Sequence, residues 1–301
     1  MFSDSFKNDV EKLKEDNISG SEEIVSKAIA IVKEEINHQP SHYQTFQQLL
    51  EMLNEIRSAK PEMAAVKNIV IYFLDFFQKG VPVLKLADRV YDKLEHQRIK
   101  LQENLLVYLK RAKTIATYSR SSSIASGLKV LSETKQPEEL PTLIMFESRP
   151  MLEGKNFAIE AASWGYNIKF FSDAGMAMAI RKFEPDYVLV GADTIFPDGY
   201  VANKLGSVAL ALIAREYGIP FYVVSSTLKL ILQEKEFSIQ NYPSSELWEG
   251  EKPENVQVFN PYFEIVPAKY ISGYITEYGF SKTINDLKIN IEKAYIREMY
   301  D

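Results

Sequence analysis

Residues 188–224 read VLVGADTIFPDGYVANKLGSVALALIAREYGIPFYVV. An apolar run, Tyr187–Val190, ends in Gly191-Ala192-Asp193, and Pro197, Asp198 and Gly199 follow as a turn. The pair Asn203-Lys204 then precedes an amphipathic segment, Gly206–Tyr217, and a second apolar run, Phe221–Val224. Strand, helix, strand in this order is a βαβ unit of a parallel sheet. Ligands of open parallel sheets bind beyond the carboxyl ends of the strands. The pattern puts Asp193 at such an end and Asn203 and Lys204 just before the next helix.

The same rhythm extends in both directions. Short apolar runs at Thr114–Thr117, Thr142–Phe146 and Asn167–Phe171 alternate with amphipathic segments at Ser122–Glu133, Gly154–Trp164 and Gly175–Phe183. A sheet covered on both faces requires this alternation. The tail after Leu230 is less regular, leading through FEIVP to a closing helix. Before Arg111 the period is helical instead. Ile24, Ala28, Ile31 and Val32 form one stripe, Phe46, Leu49, Leu50, Met52 and Leu53 another, and Val90 to Leu109 a long last helix. Breaks at Asn17–Ser21, His38–Ser41, Lys60–Pro61 and Lys79–Pro82 divide this region into about five helices. The expected fold class is α/β, an N-terminal helical bundle (1–111) followed by a Rossmann-like parallel-sheet domain (112–301).

Composition narrows the function. A net charge of −6 argues against broad nucleic-acid binding, which needs a basic face. With no cysteine there is no disulfide, thiolate metal site or cysteine nucleophile. Of three histidines, His38 and His42 have helical spacing, but Pro40 between them breaks the helix. No metal and no cofactor is expected. No run reaches the roughly 18 apolar residues of a membrane span, and the N-terminal MFSDSFKNDVEKLKEDN has no apolar signal core. A cytoplasmic location is the expectation.

Polar clusters follow each apolar run of the second region. TYSRSSSIASG (117–127) offers Ser119, Arg120, Ser121 and helix-start amides to a phosphate; a serine N-cap explains the same hydroxyls. In ESRPMLEGK (147–155), Arg149 is a fork suited to phosphate or to a surface ion pair. In SDAGM (172–176), Asp173 is placed to cap the next helix. Lys204 opposes the dipole of the helix it precedes, which an adjacent anion would explain; an ion pair with Asp193 is the alternative. Together these residues describe a pocket for a small phosphorylated or polyhydroxylated ligand. Neither G-x-G-x-x-G nor a P-loop is present.

The motifs ISGSEEIVSKAIAIV (18–32), TYSRSSSI, ESRPMLEGK, GADTIFPDGYVANKLGS and NPYFEIVPAKYISGYITEYG (260–279) resemble one superfamily over nearly the whole chain. It unites the alpha, beta and delta regulatory subunits of translation initiation factor 2B with the ribose-1,5-bisphosphate and methylthioribose-1-phosphate isomerases. The resemblance implies a helical domain, a Rossmann-like domain that dimerises, and ligand contacts at Gly20, Arg120, Ser121, Arg149, Asn203 and Lys204. In the isomerases it implies a catalytic cysteine and the GAD aspartate. Here Ser119 stands in the cysteine's place and Asp193 keeps the aspartate's. A serine hydroxyl is a far weaker acid and needs a base to act. Ser19 also replaces the arginine that the isomerases carry before Gly20. TYSRSS is similar instead to the initiation-factor branch. That branch implies a non-catalytic subunit binding a sugar phosphate or nucleoside monophosphate and the alpha subunit of translation initiation factor 2, as a homodimer or larger homo-oligomer. The alternative is an aldose–ketose isomerase using Asp193 with Ser119 or a water.

Overall fold

The structure, a computed structural model, describes residues 2–16, 20–61, 63–231 and 241–300. The chain forms two compact units. One is Met1–Arg98 with Leu228–Ile231, the other Ile99–Thr227 with Leu232–Asp301.

The first unit is helical: α1 (Asp4–Glu15), α2 (Ser21–His38), α3 (Phe46–Ala59), α4 (Ala64–Gln78) and the N-terminal part of α5 (Leu86–Leu109). Local chemistry sets the boundaries. The Ser3 hydroxyl accepts from the Phe6 amide and starts α1. Thr45 and Gln48 form a reciprocal capping box at α3. Proline at Pro40 ends α2 at His38 and opens a short 3₁₀ turn. Ile24, Ala28, Val32, Leu49, Leu53, Ile56, Ile69, Phe73 and Val90 share one core, which Leu228 joins from far along the chain. Asn68 holds that returning segment by donating to the Leu228 and Leu230 carbonyls, at 2.6 and 2.9 Å.

In the second unit the strands and helices alternate: β1 (Thr114–Tyr118), α6 (Ser122–Thr134), β2 (Thr142–Phe146), α7 (Glu153–Ser163), β3 (Ile168–Phe171), α8 (Met176–Phe183) and β4 (Tyr187–Val190). Next come β5 (Thr194–Ile195), β6 (Val201–Lys204), α9 (Ser207–Glu216), β7 (Phe221–Val224), β8 (Phe263–Val266), β9 (Gly273–Thr276), β10 (Gly279–Ser281) and α10 (Ile284–Tyr300). The main sheet has the order β10-β9-β7-β4-β1-β2-β3. All neighbours pair in parallel except β10 with β9. Leaving out the antiparallel edge, this is the doubly wound order, and its reversal lies between β1 and β4.

On one face of the sheet Ile115, Leu143, Met145 and Leu189 pack with Leu105 of α5, Leu128 of α6 and Phe157 of α7. On the other, Tyr118, Phe146, Phe171 and Phe183 contact ring to ring in sequence. Among the described residues no helix is long and apolar enough to cross a membrane.

The residues hid one strand. Asn203 and Lys204 stand just before α9, as expected, but not in a loop. They end β6, the central strand of a separate antiparallel sheet, β5-β6-β8. The chain between β4 and α9 therefore makes a hairpin before re-entering the βαβ course. Pro197, Asp198 and Gly199 turn it, with Gly199 at φ +86°.

Candidate functional site

The polar loops that follow β1 and β4 meet at the reversal of strand order. A Cβ added at Gly191 would lie 2.9 Å from the Ser121 side chain, so glycine lets the two loops approach. Ser121 is the N-cap of α6 and accepts from the Ile124 amide at 3.4 Å. Its neighbour Ser119 holds a left-handed backbone, φ +59°, a conformation with a steric cost for any residue bearing a Cβ. The Ser119 amide donates to the Ser148 hydroxyl at 2.9 Å. Ser148 is also left-handed, at φ +59°, and fully buried. Two serines in strained backbone, linked by a hydrogen bond, join the loops after β1 and β2.

Asp173 has a different place from the one expected. Its carboxylate accepts from the amides of Ser148 and Arg149, at 2.9 and 2.8 Å, rather than capping α8. It thereby fixes the loop after β2 from the loop after β3. Arg149 precedes a cis proline and is exposed. Its guanidinium donates one long bond, 3.5 Å, to the Glu246 carbonyl.

Three expected ligand contacts are engaged by the protein itself. Arg120 forms a two-pronged pair with Glu160, at 2.8 and 3.0 Å. Asn203 is buried and donates to the Ser207 hydroxyl at 3.0 Å. Lys204, only 5% exposed, pairs with Glu153 at 2.5 Å. The faces of Tyr262 and Phe263 flank its ammonium at 4.6 and 5.5 Å from the ring centroids. Asp193 is half-buried, and its amide donates to the Ala202 carbonyl of β6 at 2.9 Å. Gly20 belongs to the other unit, where it is exposed and serves as the N-cap of α2. Ser19 lies outside the described residues.

Sequence reasoning missed the carboxylates that answer these cations and amides. Glu264 accepts from the Gly206 and Val208 amides, at 2.6 and 2.8 Å, and so caps α9. Glu153 begins α7, where a negative charge meets the positive end of the helix dipole. Glu277, after β9, accepts from the Thr227 amide and hydroxyl. Burial dominates there and pushes the Glu277 carboxyl above its ordinary range. Tyr118 donates to the Leu205 carbonyl at 2.7 Å. Burial, then the nearby Asp173 carboxylate, push its phenol upward, so it stays a protonated donor. The one available signal was that a lysine at a helix N-terminus needs an anion. Its partner's position, in another loop, was not readable.

Strand order, crossover helices and the loops at the reversal point define a Rossmann-like α/β protein with its polar residues gathered where such folds take ligands. The model of the initiation factor 2 subunit family matches residues 17–283, and the chain belongs to that family. It is 30% identical over 231 residues to a Pyrococcus horikoshii protein described as translation initiation factor eIF-2B subunit 2-like, covering 77% of this chain and 80% of that one. To the ribose 1,5-bisphosphate isomerase of Methanocaldococcus jannaschii it is 29% identical over 288 residues, covering 92% and 91%. The crystal structure of the Pyrococcus horikoshii OT3 translation initiation factor eIF-2B superposes with a TM-score of 0.76 at 24% identity, over 93% of this chain and 98% of that one. That likeness is one of fold.

Proposed function

We propose that this chain is a non-catalytic regulatory member of its family. It binds a sugar phosphate or nucleoside monophosphate at the loops after β1, β2 and β4, and it contacts the alpha subunit of translation initiation factor 2. Ser119 carries this reading. It occupies the position where the isomerase pattern has a cysteine, and all three histidines of the chain, at 38, 42 and 96, precede the second unit. A serine without an imidazole base is poorly suited to move protons on a sugar at neutral pH. The expected result with ribose-1,5-bisphosphate is no ketose product, alongside thermal stabilisation by phosphorylated sugars or nucleoside monophosphates. Pull-down with purified initiation factor 2 alpha subunit tests the translation role, and no binding would remove it.

The second reading is an isomerase working through Asp193, supported by the retained aspartate and the isomerase among the relatives. Turnover of ribose-1,5-bisphosphate that disappears in Asp193→Asn would establish it. Self-association is part of the proposal. Met178 of α8 and Leu212 and Tyr217 at α9, two helices in contact, are 62, 45 and 44% exposed, apolar groups that a second copy would cover. Light scattering coupled to size exclusion reads the mass directly.

A further inference from the structure

We propose that Glu153 is an internal anion that holds the ligand site closed to phosphate until a stronger anion displaces it. The inference rests on the reading of this site as a phosphate site. Lys204 is almost wholly buried with its ammonium over the Tyr262 and Phe263 rings, and an ammonium in such a place requires a negative partner. Glu153 supplies it through Oε1. Its other oxygen, Oε2, is buried and accepts no hydrogen bond among the described residues. The carboxylate is thus half satisfied: one oxygen neutralises Lys204 and the other has lost water without replacement.

That imbalance makes the pair exchangeable. Glu153 has a side chain 30% exposed, so it has a route to water that Lys204, at 6%, lacks. A phosphate arriving at Lys204 would present more oxygens to the ammonium and to the positive end of α7, while Glu153 rehydrates. The neighbouring helix end offers no comparable exchange, because Glu264 there has both the Gly206 and the Val208 amide on one oxygen. Glu153 therefore sets the affinity threshold and favours ligands of higher charge over weakly charged or neutral ones.

The test compares wild type, Glu153→Gln and Glu153→Asp by calorimetric titration with inorganic phosphate and with ribose-1,5-bisphosphate. Removing the competing charge is expected to tighten phosphate binding by about tenfold or more in Glu153→Gln. Glu153→Asp, with its carboxylate drawn back by one methylene, is expected to fall between. Adding Lys204→Gln to Glu153→Gln is expected to abolish the gain. Equal or weaker binding by Glu153→Gln overturns the latch, while binding by wild type leaves the phosphate site standing. If neither protein binds either probe, the site reading fails and the latch with it. Circular dichroism checks folding; should Glu153→Gln not fold, Glu153→Asp decides, with tighter binding supporting the latch and unchanged binding overturning it.

Discussion

Tyr118 reaches the Leu205 carbonyl because residue 206 has no side chain. Gly206 sits at φ +109°, and a Cβ there would lie 2.3 Å from the Tyr118 oxygen. Gly206→Ala is expected to cost about 1–3 kcal/mol, from strain and overpacking together. Tyr118→Phe loses only a hydrogen bond, about 1 kcal/mol. Urea denaturation midpoints rank the two. Glu277 gives a pH signature. Its folded pKa is raised, chiefly by burial, so the folded state favours the protonated form. The stability this contributes is fully present below the unfolded value, 4.5, and is lost as pH rises through the folded one. Glu277→Gln, which keeps an acceptor for Thr227, is expected to flatten that decline in denaturation curves taken from pH 4.5 upward.

At the scale of elements, the structure can be compared with what the residues foretold. β2, β4 and β7 begin and end where their apolar runs do, because strands buried on both faces have only apolar neighbours to accept. β5 and β6 escaped notice for a physical reason. β5 is two residues long, and all four residues of β6, VANK, are buried, so neither alternates. β6 is completed by β8, some 60 residues on, through pairs such as Val201 with Val266. The site was legible as a set of loops but not as a set of pairs. Arg120 with Glu160 and Lys204 with Glu153 are tertiary facts that no local spacing encodes. The capping box of α3 was local and testable. Thr45 accepts from the Gln48 amide at 3.3 Å, and Gln48 accepts in return from the Thr45 amide at 3.1 Å. Thr45→Ala is expected to cost about 1 kcal/mol, with faster amide exchange confined to the first turn of α3.

For the whole molecule, the important fact is that the first unit is not built from one continuous stretch. Leu228 is 8% exposed and belongs to the helical core. Leu228→Ala is expected to destabilise that core by about 2–4 kcal/mol. Hydrogen exchange should register the loss at α2–α4, far away in sequence. An effect limited to residues around 228 would contradict the assignment. The two cores share no residue, so a fluorescence or exchange probe in each one is expected to report its own response to core substitutions.

The discontinuity also governs how the protein is made. A ribosome releases the chain in order, and the helices before Arg98 emerge long before residue 228 exists outside the exit tunnel. During that interval the bundle lacks the leucine that fills its core and the two carbonyls that satisfy Asn68. The nascent bundle must wait, partly finished, while the sheet is synthesised. A segment of four residues therefore sets the interval during which the growing bundle stays without its full core.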